Sequence, residues 1–225
     1  MRRLFILLLV VFLPLYVFLK GVETNAFNTN FYLDSFGKHG VMDTTGKELE
    51  ELEIITEGII SYLKDKTQEE GLRPYFNDEE IQHMEDVKFL FRYGFIIKYI
   101  SLALFLVAII GLLLLGESNK IAYTIFYGNL IWWIFMLILF FLTTMDFNKY
   151  FTYFHMIFFD NDLWLLDPEK DLLIQMLPEE FFIGIFNRIL LFFVSILAII
   201  QVVSYILMKK EKDSNECFDN IKRLF

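Results

Sequence analysis

Three imidazoles, His39, His83 and His155, are the side chains of this sequence best suited to exchanging protons near neutral pH. His155 stands in Tyr153-Phe154-His155-Met156, inside a strongly aromatic stretch where an apolar residue would be the ordinary choice. An aromatic surround excludes water and holds greasy chains, so an imidazole within it is placed to move protons on a lipid. His83 precedes Asp86 by three residues, one helical turn, from where a carboxylate can hold the ring and raise its basicity. The plainer readings are a surface histidine on a helix at 83 and a structural histidine bonded to a backbone carbonyl at 155. His39, in Gly37-Lys38-His39-Gly40, reads as solvated and part of a flexible loop.

Familiar catalytic patterns are missing. There is no G-x-S-x-G, H-E-x-x-H, P-loop or G-x-G-x-x-G. Asp160-Asn161-Asp162 matches a D-x-D metal-nucleotide motif by letter, but three turn-forming residues before Trp164 read as a turn. The single cysteine, Cys217, lies near the C-terminus, which leaves no thiol nucleophile and no disulfide elsewhere.

The elements that must hold these residues are set by hydropathy. Hydrophobic residues make up 56% of the sequence, Phe alone fills 27 positions and the mean hydropathy is +0.48, the composition of an integral membrane protein. Apolar runs at about 4–20, 93–115, 121–145 and 181–208 predict four transmembrane helices, the first of them short. That first run follows Met1-Arg2-Arg3 like a signal peptide, yet Lys20 to Asn25 offer no small-x-small cleavage site, so it is expected to be a retained anchor. Arg2, Arg3, Lys120, Lys209, Lys210, Lys212, Lys222 and Arg223 fall on one side, cytoplasmic by the positive-inside rule. The segments 21–92 and 146–180 then form an extracellular cap carrying 24 of the 29 acids but only 9 of the 20 cations. The sequence is therefore expected to be one all-α membrane domain over 1–225, with a cytoplasmic tail at 209–225. A net charge of −9 argues against a nucleic-acid partner.

Within the cap, 22–43 reads as irregular, and Thr45-Gly46-Lys47-Glu48 as a capping box opening an amphipathic helix with Leu49, Leu52, Ile55, Ile59 and Leu63 on its apolar face. Asn77-Asp78-Glu79-Glu80 supplies an N-cap and acidic first turn for a helix that carries His83 and continues into the second span. Asp171 to Met176 predicts a short helix, and Pro178 suits the first turn of the fourth span. Two cations lie inside the spans. Lys98 is placed to snorkel, whereas Arg188, with a long apolar stretch behind it, is expected to line a polar pocket opening toward both histidines.

The blocks Ile81-Gln82-His83-Met84-Glu85-Asp86-Val87, Phe151 to Phe159 around His155, Asn161-Asp162-Leu163-Trp164, Leu166-Asp167-Pro168, Asp171 and Met176-Leu177-Pro178-Glu179 closely resemble those of the bacterial lipoprotein intramolecular transacylases. The resemblance implies a four-helix membrane acyltransferase with an extracellular cap and two catalytic histidines, here His83 and His155. It implies transfer of the sn-2 acyl chain of a diacylglyceryl lipoprotein to the α-amino group of its own N-terminal cysteine, leaving the lyso-form. Diacylated lipoproteins would be the substrates and membrane lipid the surroundings, with no cofactor, no metal and a monomeric chain. Asp86 would orient His83, while Tyr150, Phe151, Tyr153, Phe154, Phe158, Phe159 and Trp164 confine the substrate. Asp162 and Arg188 complete the supporting set, with Arg188 a candidate for oxyanion stabilisation. Two other classes fit the residues alone. One is a non-catalytic lipid-binding or assembly protein with structural histidines; the other is a metal-dependent membrane hydrolase using the histidines and nearby carboxylates.

Overall fold

The computed structural model describes the backbone of residues 1–222 and the side chains of residues 1–212; the side chains of Cys217 and Lys222, and Arg223 as a whole, lie outside that range. The described residues are all-helical. The α-helices, in chain order, are α1 (Arg2–Ala26), α2 (Thr29–His39), α3 (Val41–Thr45), α4 (Leu49–Leu63), α5 (Asp78–Leu114), α6 (Asn119–Met145), α7 (Phe147–Phe158), α8 (Leu172–Met176) and α9 (Glu179–Lys222), with a 3-10 turn at Glu69–Gly71. Four of them, α1, α5, α6 and α9, are long and apolar enough to cross a membrane. The first span is not short: α1 runs 25 residues, since Lys20 to Ala26 continue the helix past the apolar run.

By contacts the chain divides into two units, each assembled from separate stretches. The first holds residues 1–21, 97–140 and those from 190 onward. Its helices approach closely at small residues, as lipid-embedded helices do when hydrophobic exclusion cannot drive their association. A Cβ at Gly128 would stand 2.6 Å from Val10 Cγ2, and one at Gly111 would stand 2.5 Å from the Phe5 ring. At the first of these approaches Trp132 Nε1 donates to the Val10 carbonyl at 2.8 Å. Lys98 is buried, with Nζ 4.3 Å from the centre of the Tyr99 ring, so an aromatic face partners it in place of the expected snorkel into water.

The second unit, residues 22–96 and 141–189, holds all three histidines. Its core joins Tyr32 and Phe36 of α2, Leu52, Ile55, Ile59 and Leu63 of α4, Met84 of α5, Met176 of α8 and Phe181 of α9. Each such side chain contributes about 1.5–3 kcal/mol when fully buried. The expected irregular stretch at 22–43 is mostly helical. Asn28 caps α2 by accepting from Phe31 N, and Gly40, at φ 66°, ends it by donating to the Phe36 carbonyl. His39 is thus the last residue of a helix, exposed but not in a flexible loop. The Thr45–Glu48 capping box does not form either. Thr45 Oγ1 donates back to the Val41 carbonyl at 2.7 Å, and α4 starts from Glu48 with no side-chain cap. The amphipathic face of α4 is as expected except that Leu49 stays exposed.

The start of α5 is more elaborate than a single cap. Asn77 Oδ1 accepts from Glu80 N at 3.0 Å while Glu80 Oε2 accepts from Asn77 N at 2.8 Å, a reciprocal capping arrangement. Glu80 Oε1 also accepts from Leu173 N at 2.7 Å, and Asn77 Nδ2 donates to Asp171 Oδ1 at 2.9 Å. These bonds fasten the first turn of α5 to that of α8. Farther along, Asp65 accepts two hydrogen bonds from Arg92, both at 2.8 Å, which ties the end of α4 to α5. The helix that carries His83 is held at both ends of its cap-facing length.

Candidate active site

His83 lies in the second turn of α5, ahead of the apolar stretch of that helix, and His155 in the last turn of α7. Asp146 starts α7 by accepting from Lys149 N at 3.1 Å, and from there Phe151, His155 and Phe159 recur every four residues on one side. His155 and Phe159 are buried, whereas Tyr153, Met156, Ile157 and Phe158 are exposed. The sequence of α7 shows an aromatic segment with no evident helix, because exposed aromatics mask its two-sided pattern.

The two imidazoles come together from positions 72 residues apart. Their ring centres are 6.1 Å apart, and each residue is only 8% exposed. Phe159 fits edge-on to His83 at 5.4 Å and lies 5.5 Å from His155. Trp164 stacks on His155 at 4.9 Å, and Phe151 meets the same ring edge-on at 4.4 Å. Phe154 closes another side at 5.5 Å. The result is a largely buried, aromatic-walled pair of imidazoles.

The hydrogen bonds fix what each ring can do. His155 Nδ1 is 2.8 Å from the Phe151 carbonyl, which can only accept, so Nδ1 carries the proton and Nε2 keeps a lone pair. Burial lowers the His155 pKa and this bond partly opposes the shift. His83 Nδ1 is buried with no hydrogen-bond partner. Burial first, and then the neighbouring His155, pushes the His83 pKa down to about 4, against a smaller upward pull from Asp86. Both rings are therefore neutral at pH 7.

Several expected supports lie elsewhere. Asp86 does not hold the His83 Nδ1; its carboxylate accepts from Asn161 Nδ2 at 2.9 Å. Asn161 also accepts from Leu163 N through its side chain and from Trp164 Nε1 through its carbonyl, at 3.1 and 2.9 Å. One residue thus joins α5 to the loop whose Trp164 covers His155. Asn161 lies within the Asn161-Asp162-Leu163-Trp164 block, but its tie to Asp86 is not legible there, since that partner is 75 residues away. Tyr150 and Tyr153 pair with each other at 6.1 Å and Phe158 packs on Phe154 at 4.8 Å, so these two tyrosines and Phe158 meet other aromatics in place of an imidazole. Asp162 is exposed and contributes its carbonyl to a turn with Leu165 N. Arg188 is exposed with its guanidinium 4.9 Å from the Phe31 ring centre, so the expected pocket opening toward the histidines is not built by it. A flat guanidinium on an aromatic face gains a cation–π contact that a buried pocket position would have to replace. Among the described residues no three of His, Cys, Asp and Glu converge as metal ligands.

Four membrane-length helices and a buried pair of imidazoles amid aromatics define an integral membrane protein with an aromatic-walled histidine site. A family model described as lipoprotein intramolecular transacylase Lit matches residues 7–182, and the chain belongs to that family of acyltransferases. The structure of the lipoprotein intramolecular transacylase Lit from Bacillus cereus, solved in meso, superposes with a TM-score of 0.85 at 25% identity over 94% of this chain and 98% of that one. A form of the Bacillus cereus protein with a histidine changed to alanine shares the fold, with a TM-score of 0.76 at 24% identity over 94% of this chain and 96% of that one. An uncharacterised protein of Aquifex aeolicus (strain VF5) is 31% identical over 211 residues, 88% of this chain and 93% of its own length.

Proposed function

We propose that His83 and His155 carry the proton transfers of lipoprotein intramolecular transacylation in this chain. The observation that carries the reading is the pair itself: two neutral imidazoles with ring centres 6.1 Å apart, both buried among aromatics. In the reaction the α-amino nitrogen of the lipoprotein's N-terminal cysteine attacks the sn-2 ester carbon of its own diacylglyceryl group. A C–N bond forms, the C–O bond to glycerol breaks, and the lyso-form lipoprotein results. The ring closed in the intermediate runs through nitrogen, Cα, Cβ, sulfur, two glyceryl carbons, the ester oxygen and the acyl carbon. Such a cycle closes only if the substrate is held folded, which walls such as Phe151, Phe154, Phe159 and Trp164 favour.

An α-amino group with a pKa of about 7.7–8.0 must lose protons to attack, and the leaving oxygen must gain one. His155 Nε2, its lone pair left free by the Nδ1 bond to Phe151, is the proton acceptor. His83, neutral at pH 7, becomes the donor toward the glyceryl oxygen once it receives the proton that His155 takes from the attacking amine, because a ring with a pKa of about 4 gives that proton up readily and returns both imidazoles to their neutral state. Neither serine nor cysteine is needed as a covalent nucleophile.

The segments 21–92 and 146–180, with the histidines, lie on the outer face of the membrane, and both termini lie in the cytoplasm. Positive charge supports this orientation, as does the hydrogen bond from Arg2 to Glu117, which brings the N-terminus to the turn before α6 at 3.3 Å. Both rings belong to one copy, so a monomer embedded in lipid contains a complete site. Mass spectrometry of lipoprotein N-terminal peptides tests the catalytic roles. His83→Ala and His155→Ala should each abolish the lyso-form while the protein still purifies as a folded species, and His39→Ala should retain it. Native turnover in either of the first two variants would show that histidine to be structural.

A further inference from the structure

In the first unit, α1 and α6 enclose a groove of about 650 Å³ that has no part in the chemistry described above. Arg2, Ile6 and Val10 line it from α1, and Lys120, Tyr123 and Tyr127 from α6. The helices touch at Val10 and Gly128, where a side chain on 128 would collide and Trp132 bonds the Val10 carbonyl. Arg2 and Lys120 each stand eight residues from that contact, about 12 Å at 1.5 Å per residue. The groove therefore has an apolar and aromatic length and a cationic mouth.

The mouth is built to present positive charge. Glu117 pairs with Arg2 at 3.3 Å and Lys120 at 2.6 Å, and these partners hold its carboxyl below the usual range, so it remains an anion positioning two cations. One carboxylate against two cations leaves net positive charge, and most of the guanidinium and ammonium hydrogens remain available. The N-terminus of α6, a 27-residue helix beginning at Asn119, adds its dipole at the same place. A phosphate matches the mouth and an acyl chain matches the walls.

We infer that the α1–α6 groove is a binding site for an anionic phospholipid, with its phosphate at Arg2 and Lys120 and one acyl chain along Ile6, Val10 and Tyr127. The site is independent of the histidine pair. Native mass spectrometry of the full-length protein released from nanodiscs of equimolar phosphatidylglycerol and phosphatidylcholine tests it. The wild type should retain phosphatidylglycerol over phosphatidylcholine by about tenfold, and Arg2→Gln with Lys120→Gln should bring the two close to parity. Ile6→Trp, which fills the groove without altering charge, should lower retention of both lipids. Glu117→Gln, which releases the cations, should retain at least the wild-type amount of phosphatidylglycerol. Inorganic phosphate alone should leave the melting temperature unchanged while phosphatidylglycerol raises it. Equal retention of the two lipids by wild type, an unchanged preference in the double variant, unaltered retention by Ile6→Trp, or equal stabilisation by free phosphate would each overturn the assignment.

Discussion

His83 ties the chemistry of the site to the stability of the protein through its depressed pKa. Its folded value of about 4 lies below the ordinary 6.5, so as pH falls the unfolded chain takes up this proton first. The stabilising contribution is complete above about pH 6.5, declines down to about pH 4 and then levels off, a loss of roughly 3 kcal/mol over that window. His155 is shifted in the same direction. Denaturation of the purified protein in detergent at pH 7 and pH 4.5 should show a larger acid loss for wild type than for His83→Gln; equal losses would place the proton uptake elsewhere. Asn161 should matter for rate. Asn161→Asp sets a carboxylate against Asp86 in place of the 2.9 Å bond and loosens the loop that lays Trp164 on His155. Turnover should fall on the order of tenfold to a hundredfold with little change in KM, and Asn161→Ala should fall less. Wild-type turnover in Asn161→Asp would show that the link does not position the rings. Both histidines could be singled out from sequence, because residue type and aromatic context are local properties. The choice of Asn161 as partner for Asp86 could not, since only the folded chain brings residues 86 and 161 together.

At the scale of elements, sequence reading succeeds where the signal is periodic and strong, as in the four long helices and the face of α4. It misses α2 and α3 because Asn, Gly and Asp between 22 and 46 look like loop residues until Asn28, Gly40 and Gly46 are seen as caps. It misassigns the start of α4 because Thr45 Oγ1 bonds backward to Val41 in preference to capping forward. The start of α5 was legible as a cap, but the second function of Glu80 was not: the same carboxylate reaches Leu173, 93 residues away. Glu80 is 2% exposed, and burial raises its pKa while the backbone N–H groups pull it back. Glu80→Ala leaves the Asn77 and Leu173 amides without an acceptor and opens a void, which should cost about 2–4 kcal/mol. Glu80→Gln keeps at least one acceptor and should cost less. Thermal or chemical denaturation of the purified variants measures both, and an unchanged midpoint for Glu80→Ala would show that the α5–α8 fastening contributes nothing.

For the whole molecule, charge asymmetry and the number of membrane-length helices are readable from sequence, while the pairing of residues 83 and 155 depends on packing between α5 and α7 that no local pattern encodes. Topology has a direct test in Cys217, the only cysteine. If both termini are cytoplasmic, an impermeant thiol reagent should label it only after cells are opened, and labelling in intact cells would reverse the orientation. The proposal that one copy holds the whole site makes a sharper prediction. His83 and His155 face each other within a single chain at 6.1 Å, so no second copy is required to supply either ring. Chains carrying His83→Ala and chains carrying His155→Ala, each inactive alone, should remain inactive when coexpressed or mixed in one membrane. A site shared between two chains would behave differently, since a mixed dimer would contain one intact pair and recover about half the activity of a wild-type dimer. Formation of lyso-form lipoprotein in the mixture, read at the N-terminal peptide, would therefore overturn the monomeric site, whereas its absence alongside normal expression of both chains is the outcome this geometry requires.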